Sequence, residues 1–317
     1  MTATATADAS VDHPRDSASV RGVIAIVVAF VGLSLGSTIT KSTGSPGPVV
    51  AFWRFLIAAV LWHVAIAARG ARRGGSPTVD ATAWRVATLP GIAFGVNLSC
   101  FFSGVTRTPI AHAEFISALT PLILVPLAAH VLRERVQRYV VVCGAIALAG
   151  IVLILSQAPD TGTSYFGDAL VGLSMVAWIA YLMTGTAARA RLSTPDFMAV
   201  MSTAACITTL PIALLTAGGP AGLVAVSAKG WLLVALLAIS AGVAAHGLIA
   251  WAQRRVPVGT ISVLQLGQPG LGVLWAATFL GESVERVQLL GMAVVLAAVG
   301  TIARRSAGDG ATQKIAR

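Results

Sequence analysis

Residues 107–136 read RTPIAHAEFISALTPLILVPLAAHVLRERV, and residues 255–284 read RVPVGTISVLQLGQPGLGVLWAATFLGESV. The two stretches align without a gap at an offset of 148 residues (255 against 107). Each is apolar over roughly the 20 residues that a helix needs to cross a bilayer. The repeat therefore relates two membrane spans. Among the identical pairs are Arg107 and Arg255, Pro109 and Pro257, Pro121 and Pro269, Leu132 and Leu280, Glu134 and Glu282, and Val136 and Val284.

The composition of the whole chain agrees with a membrane protein. The 317 residues are 56% hydrophobic and only 11% charged, with a mean hydropathy of +0.84. Soluble domains carry about 25% charged residues, so this chain has too little polar surface to cover a water-soluble fold of its size. A cytosolic enzyme, a nucleic-acid-binding domain and a disordered protein are thereby excluded.

Apolar runs of spanning length recur ten times along the chain, and short connections separate them. We therefore predict an all-α membrane protein with ten transmembrane helices. The polar residues 1–20 are expected to form a disordered cytoplasmic tail, and residues 306–317 a second cytoplasmic tail. The predicted spans are 22–40, 48–68, 86–106, 109–131, 139–156, 166–188, 196–216, 231–252, 258–280 and 287–303.

The basic residues indicate the orientation, because Lys and Arg accumulate on the cytoplasmic side of membrane proteins. With the N-terminus inside, 17 of the 22 basic residues fall in cytoplasmic segments and four in outer segments, while Arg54 lies within a span. This asymmetry predicts an N-in, C-in topology. It also places the net charge of +10 beside the lipid bilayer, so no nucleic-acid partner is needed.

The matched stretches occupy the fourth and ninth spans, which cross the membrane in opposite directions. This is the pattern of an inverted repeat, which many secondary transporters use. We predict two inverted five-helix repeats, residues 21–156 and 157–305.

Several residues of the two halves also carry a resemblance to a known family. Over residues 20–304 the chain resembles the ten-helix EamA-type branch of the drug/metabolite transporter superfamily. The resemblance implies a fold and a transport activity but does not identify a substrate. It rests on Lys41, Pro48 and Arg54, on Pro121, Leu132, Glu134, Gly144 and Gly150 in the first half, and on Pro269, Leu280, Glu282, Gly291 and Gly300 in the second.

Two charged residues within spans are the first candidates for the transport site, because such residues are costly in a membrane. Glu114 and Arg54 both lie ~9 Å below the outer boundary of their spans. They would form a charged gate or anchor the substrate, and an unpaired Glu114 would carry a proton. The alternative is a static ion pair that fixes helix packing.

Polar residues at helical spacing extend this candidate site. Glu114, Ser117 and Thr120 align with Ser262, Gln265 and Gln268, and both trios precede a helix-kinking proline, Pro121 or Pro269. Spacing of three keeps each trio on one helix stripe, and the prolines free backbone carbonyls near the midplane. We predict a substrate path here, with interhelical hydrogen bonding as the alternative.

Four further residues are weaker candidates for the path: Asn97, Trp178, Tyr181 and His246. Asn97 and Trp178 are expected near the midplane, and Tyr181 and His246 nearer the cytoplasm. Glu134 and Glu282 are interpreted as structural acids that hold the hairpin after the fourth helix of each half.

No P-loop, paired metal ligands or cofactor fingerprint occurs in the sequence, so we expect a transporter without cofactor, metal or enzymatic activity. The preferred function is export of an amino acid, amine or drug-like compound by alternating access, driven by a proton gradient or by the solute's own gradient. An importer or sugar-type permease, a lipid-linked flippase and a non-transporting accessory protein are the alternatives. The Arg-rich composition suggests a bacterial cytoplasmic membrane, and a monomer and a homodimer both remain open.

Overall fold

The described part of the chain is helical throughout. The computed structural model describes residues 19–73, 78–134, 136–156, 164–280 and 285–315, and the regular secondary structure of these ranges contains only helices. Eight helical segments are long and apolar enough to cross a membrane, and Arg138–Ile154 forms a shorter apolar helix. Three of the eight, Val20–Ser42, His112–Val131 and Ala228–Ala252, comprise more than one of the helices given below. The all-helical membrane architecture is therefore confirmed. Of the predicted N-terminal tail, residues 1–18 lie outside the described residues.

Fifteen α-helices make up the described fold, together with a π-helical stretch, Ala238–Ala245, between the eleventh and twelfth. In chain order they are α1 (Val20–Ser34), α2 (Gly36–Ser42), α3 (Gly47–Arg73), α4 (Ala81–Val105), α5 (Ile110–Ala118), α6 (Thr120–Val131), α7 (Arg138–Leu155), α8 (Tyr165–Arg189), α9 (Thr194–Ala217), α10 (Pro220–Val224), α11 (Ala228–Leu237), α12 (His246–Ala252), α13 (Val258–Leu264), α14 (Gly267–Leu280) and α15 (Arg286–Ile315).

Helical segments occupy every predicted span, but four of the spans are interrupted. The first breaks between α1 and α2, the fourth between α5 and α6, the eighth at the π-helical stretch and the ninth between α13 and α14. The breaks in the fourth and ninth spans come just before Pro121 and Pro269. Proline explains these breaks, because it lacks the N–H that would bond to the carbonyl four residues earlier and its ring clashes with that carbonyl.

At the C-terminal end, α15 continues beyond the predicted span to Ile315, and the cytoplasmic location of residues 306–317 stays a prediction. A helix that is already formed extends at little cost through residues such as Ala, Gln and Lys. The segment from 306 to 315 is therefore helical.

Local sequence explains where several long helices begin. Ser164, Ser193 and Ser227 precede α8, α9 and α11, and each hydroxyl accepts a hydrogen bond from a backbone N–H in the first turn. Such N-caps satisfy donors that the helix itself leaves free. They fix the starts of two helices, α8 and α11, that line the central cavity described below.

Close packing of α4 on α9 depends on two glycines. A Cβ atom at Gly91 would lie 2.6 Å from the Cβ of Ala204, and one at Gly95 would lie 2.9 Å from the carbonyl oxygen of Ala205. Small residues allow membrane helices to approach this closely. The contact holds α4 against α9, and α4 carries Phe94 and Asn97 on the wall of the cavity.

Candidate functional site

A cavity of about 90 Å³ lies in the middle of the helix bundle. It is bordered by helices from both predicted halves, including α2, α3, α4 and α5 from the first and α8 and α12 from the second. The structure brings nine of the eleven predicted path residues to this cavity, although their contact with a solute stays a prediction. These nine are Arg54, Asn97, Glu114, Ser117, Thr120, Trp178, His246, Gln265 and Gln268.

The other two predicted path residues, Tyr181 and Ser262, lie outside the cavity lining. Ser262 is fully buried, and its hydroxyl donates to the carbonyl oxygen of Gly259 at 2.7 Å. Because α13 ends at Leu264, the backbone turns before Gln268 and the second trio does not continue along one helix stripe. Tyr181 is fully buried behind the aromatic wall of the cavity.

Glu114 is a buried carboxylate on α5, only 7% exposed. The hydroxyl of Ser37 on α2 donates to its Oε1 atom at 2.9 Å, and Ser37 also lines the cavity. Sequence reasoning did not select Ser37. The available signal was a hydroxyl beside Gly36, in a first span that also contains Ser34, Thr38 and Thr40.

Arg54 is a buried guanidinium on α3, only 2% exposed. Its Nε and Nη2 atoms have no hydrogen-bond partner. The guanidinium carbon lies 5.8–6.0 Å from the ring centroids of Phe55, Phe94 and Phe102, within the range of cation–π attraction. Aromatic faces therefore stabilise this cation in place of a carboxylate.

Glu114 and Arg54 do not pair with each other. The ion pairs found among the described residues are Arg69 with Asp196 and His112 with Asp168. The alternative of a static Arg54–Glu114 ion pair is therefore wrong for this structure. The cavity instead holds two opposite charges that are separated and open to the same space.

An aromatic wall closes one side of the cavity. Phe94, Trp178 and His246 form this wall and Tyr181 packs behind it, with the Phe94 ring 4.5 Å from His246 and 4.7 Å from Tyr181. The indole Nε1 of Trp178 donates to Oε1 of Gln265 at 2.8 Å. Gln265 therefore fixes the orientation of Trp178, and with it the shape of the wall.

The smaller polar residues take part in packing as well as in lining the cavity. The side-chain amide of Asn97 donates to the carbonyl and hydroxyl oxygens of Ser174, both at 2.9 Å, and so joins α4 to α8. The hydroxyls of Ser117 and Thr120 donate to carbonyls of their own segment, Ala113 and Ser117. Interhelical hydrogen bonding, the alternative considered above for the two trios, occurs at Gln265 and Glu114, and Asn97 bonds between helices in the same way. The hydroxyl oxygens of Ser117 and Thr120 keep acceptor capacity.

Glu134 forms a contact across the two predicted halves. Its Oε2 atom accepts hydrogen bonds from the backbone N–H groups of Val258 at 2.8 Å and Gly259 at 3.4 Å, at the N-terminus of α13. A carboxylate is well placed there because the helix leaves these donors free. The sequence prediction assigned Glu134 to its own hairpin and did not foresee this partner. Glu282 lies outside the described residues.

Arg189 is a buried residue that sequence reasoning assigned to a cytoplasmic segment. It is 1% exposed, and its Nε donates to the carbonyl oxygen of Ala250 at 2.6 Å. Further donations reach the carbonyl of Leu192 and the hydroxyl of Thr194. Arg189 therefore ties the end of α8 to α12 and to the start of α9. Its position at the end of a long apolar run gave no signal of burial.

Several helices of membrane-spanning length surround a buried cavity that holds two separated opposite charges. This arrangement is typical of one class, the polytopic membrane transport proteins. The comparison with known sequences makes this specific. The sequence model of the EamA-like transporter family matches residues 20–156 and 165–304. The chain belongs to the EamA-like transporter family, as its sequence motifs indicated.

A curated relative is similar over part of its length. It is named "Probable terminal-alkyne amino-acid exporter", from Streptantibioticus cattleyicolor, and is 35% identical over 97 residues. The matched stretch spans 31% of this chain and 33% of that relative, so the chain matches only about a third of its length. A solved chain described only as "Crystal structure of protein" is similar in fold, with a TM-score of 0.72 and 22% identity over 90% of this chain and 99% of that one.

Proposed function

We propose that the protein is a secondary transporter that exports a small, amino-acid-like metabolite by alternating access. In this proposal ten spans form two inverted five-helix repeats, with both chain ends in the cytoplasm of a bacterial cell. The observation that carries it is the cavity that holds the separated charges of Glu114 and Arg54. Rocking of the two halves would expose this cavity to each side in turn.

The two charges favour a zwitterionic solute. A lone charge within a membrane span costs roughly 2.5–3.5 kcal/mol on insertion scales, and neither Glu114 nor Arg54 has an ion-pair partner among the described residues. An α-amino acid supplies both missing partners, because its ammonium group suits Glu114 and its carboxylate suits the Arg54 guanidinium. A simple amine or a simple acid would leave one of the two charges without a partner.

The size of the cavity favours a small solute over a drug-like compound. Sites for drug-sized ligands occupy about 300–1,000 Å³, whereas this cavity measures about 90 Å³. Its apolar side, formed by Phe94 and Trp178, would receive an apolar side chain. A sugar could hydrogen-bond both groups but would supply a counter-charge to neither, which makes a sugar permease the weaker alternative.

The named relative supports the amino-acid class and the outward direction. Its printed name describes an amino-acid exporter, and the family match extends over nearly all of the described chain. A lipid-linked flippase, the alternative from another class, would need room for a headgroup, and the cavity volume argues against one.

Uptake and counterflow in proteoliposomes test the proposal. The purified protein would be reconstituted and screened with labelled amino acids, each accompanied by its decarboxylated amine and its deaminated acid. We expect exchange of a small set of apolar amino acids and weak competition from the single-charge analogues. Equal competition by the amine or the acid would contradict recognition through both charges, and an absence of flux for every class would favour an accessory protein.

A further inference from the structure

A second group of buried polar side chains lies beyond the aromatic wall, toward the ends of α8 and α12. Tyr181, Thr186 and Gln253 are each at most 2% exposed. The hydroxyls of Tyr181 and Thr186 and both amide atoms of Gln253 have no hydrogen-bond partner. Since buried polar groups almost always find partners, a concentration of unpartnered groups in one region calls for a physical explanation.

Two of these side chains, Tyr181 and Gln253, border a single seam between α8 and the α12 segment, which we call the α8–α12 seam, and Thr186 follows Gly185 on the adjacent face of α8. Tyr181, Gly185 and Arg189 are spaced by four and share one face of α8. Tyr181 faces the His246 ring at 6.3 Å between centroids, and a Cβ at Gly185 would lie 3.3 Å from Nε2 of Gln253. The seam therefore runs from the cavity wall to the end of the bundle that carries Arg254.

Residues of the first predicted half cover this seam. The Phe94 ring stacks on Tyr181 at 4.7 Å with an interplanar angle of 23°. Farther along, the Trp62 indole lies so close to Gly247 that a Cβ there would be 3.1 Å from the ring. The Trp62 Nε1 atom also lacks a partner.

The contacts that cover the seam are apolar ring contacts, while the groups beneath them are polar. Separating Phe94 from Tyr181 breaks no hydrogen bond and hydrates donors and acceptors that are now buried without partners. A contact of this kind can be closed in one of two alternating conformations of a transporter and open in the other. Other unpartnered hydroxyls, those of Thr38, Thr40 and Ser99, lie on α2 and α4 and do not share this seam.

We infer that the α8–α12 seam is a further part of the solute path, leading from the cavity to the membrane side that carries Arg254 and Arg255. Phe94 stacked on Tyr181 closes this path in the present structure. The polar groups of Tyr181, Thr186 and Gln253 would contact a passing polar solute of amino-acid size. The inference rests on the alternating transport proposed above, with the Arg-rich side facing the cytoplasm.

Cysteine labelling tests this inference without a solute. In a background where Cys100, Cys143 and Cys206 are replaced by Ala, Ser117→Cys, on the cavity side of the Phe94–Tyr181 stack, would be exposed to a membrane-impermeant maleimide in inverted vesicles, so that the reagent arrives from the Arg254 side. Adding Phe94→Ala should make the labelling about tenfold faster, because it removes the ring that covers the seam. Phe30→Ala, which removes an equally buried ring on α1, is the matched control and should leave the labelling rate unchanged.

Two further cysteines calibrate the readout. Arg254→Cys, at an exposed position, should label rapidly in every background, and Ile302→Cys, at a fully buried position, should remain slow. Tyr181→Ala removes the opposite side of the stack and decides the question if Phe94→Ala does not yield folded protein.

The inference is overturned if Ser117→Cys labels equally fast with and without the Phe94–Tyr181 stack, or only from the opposite membrane side. If the protein does not transport amino acids but Phe94→Ala still speeds the labelling, the proposed substrate is wrong and the proposed path is still supported. The two proposals therefore fail in different experiments.

Discussion

Replacing Glu114 with Gln separates a solute-binding role from a packing role. The substitution keeps the shape and an oxygen that accepts from the Ser37 hydroxyl at 2.9 Å, and it removes only the negative charge. A hydrogen bond to a charged group contributes about 1.5–3 kcal/mol. We therefore expect the dissociation constant for the transported amino acid to rise roughly 10- to 150-fold.

The same substitution should not destabilise the protein. Glu114 is 7% exposed and has no ion-pair partner among the described residues. Neutralising a lone charge within a span removes an insertion cost of roughly 2.5–3.5 kcal/mol. We expect the melting temperature of the detergent-solubilised variant to stay the same or increase, because the hydrogen bond to Ser37 is retained.

The assay is equilibrium binding of the labelled amino acid to purified protein, with thermal unfolding measured on the same samples. Ser37→Ala is the control, since it removes the hydroxyl that donates to Glu114 but keeps the carboxylate, and should weaken binding by less than Glu114→Gln does. An unchanged dissociation constant together with a lower melting temperature would refute the reasoning. That result would mean that Glu114 stabilises helix packing and does not bind solute.

Three other substitutions follow from the same geometry. Arg54→Gln should weaken binding of the amino acid by about tenfold or more and leave binding of its decarboxylated amine unchanged, as competition binding would show. Gln265→Leu frees the Trp178 indole and should alter the preference among amino-acid side chains in counterflow, whereas Gln268→Leu, which also removes a lining amide, should not. Glu134→Gln weakens the contact with the α13 amides and should lower the free energy of unfolding by about 1–3 kcal/mol without changing the dissociation constant. Unchanged stability together with weaker binding would place Glu134 in the solute path.

Sequence patterns predicted the helical architecture because hydrophobic run length is a local property that each segment carries by itself. Patterns also selected Glu114 and Arg54, since charges within apolar runs are rare. They could not show that the two charges lie apart, because that distance depends on how α3 and α5 pack. The donation from Ser37 to Glu114 and the burial of Arg189 depend on tertiary contacts in the same way.

The repeat that pointed to the candidate site does not extend to the surroundings of every matched residue. Matching residues at a fixed offset implied that Ser262 would mirror Glu114, yet Glu114 lines the cavity while Ser262 bonds to its own helix. The break after Leu264 leaves α13 only seven residues long and turns the chain before Gln268. The α5 segment is nine residues long and carries Glu114 and Ser117 to the cavity before its own break. An internal repeat thus preserves the positions of proline and of helix ends, while the side chains between them diverge. The site is asymmetric for this reason, with its one carboxylate on the first copy and the amide that orients Trp178 on the second.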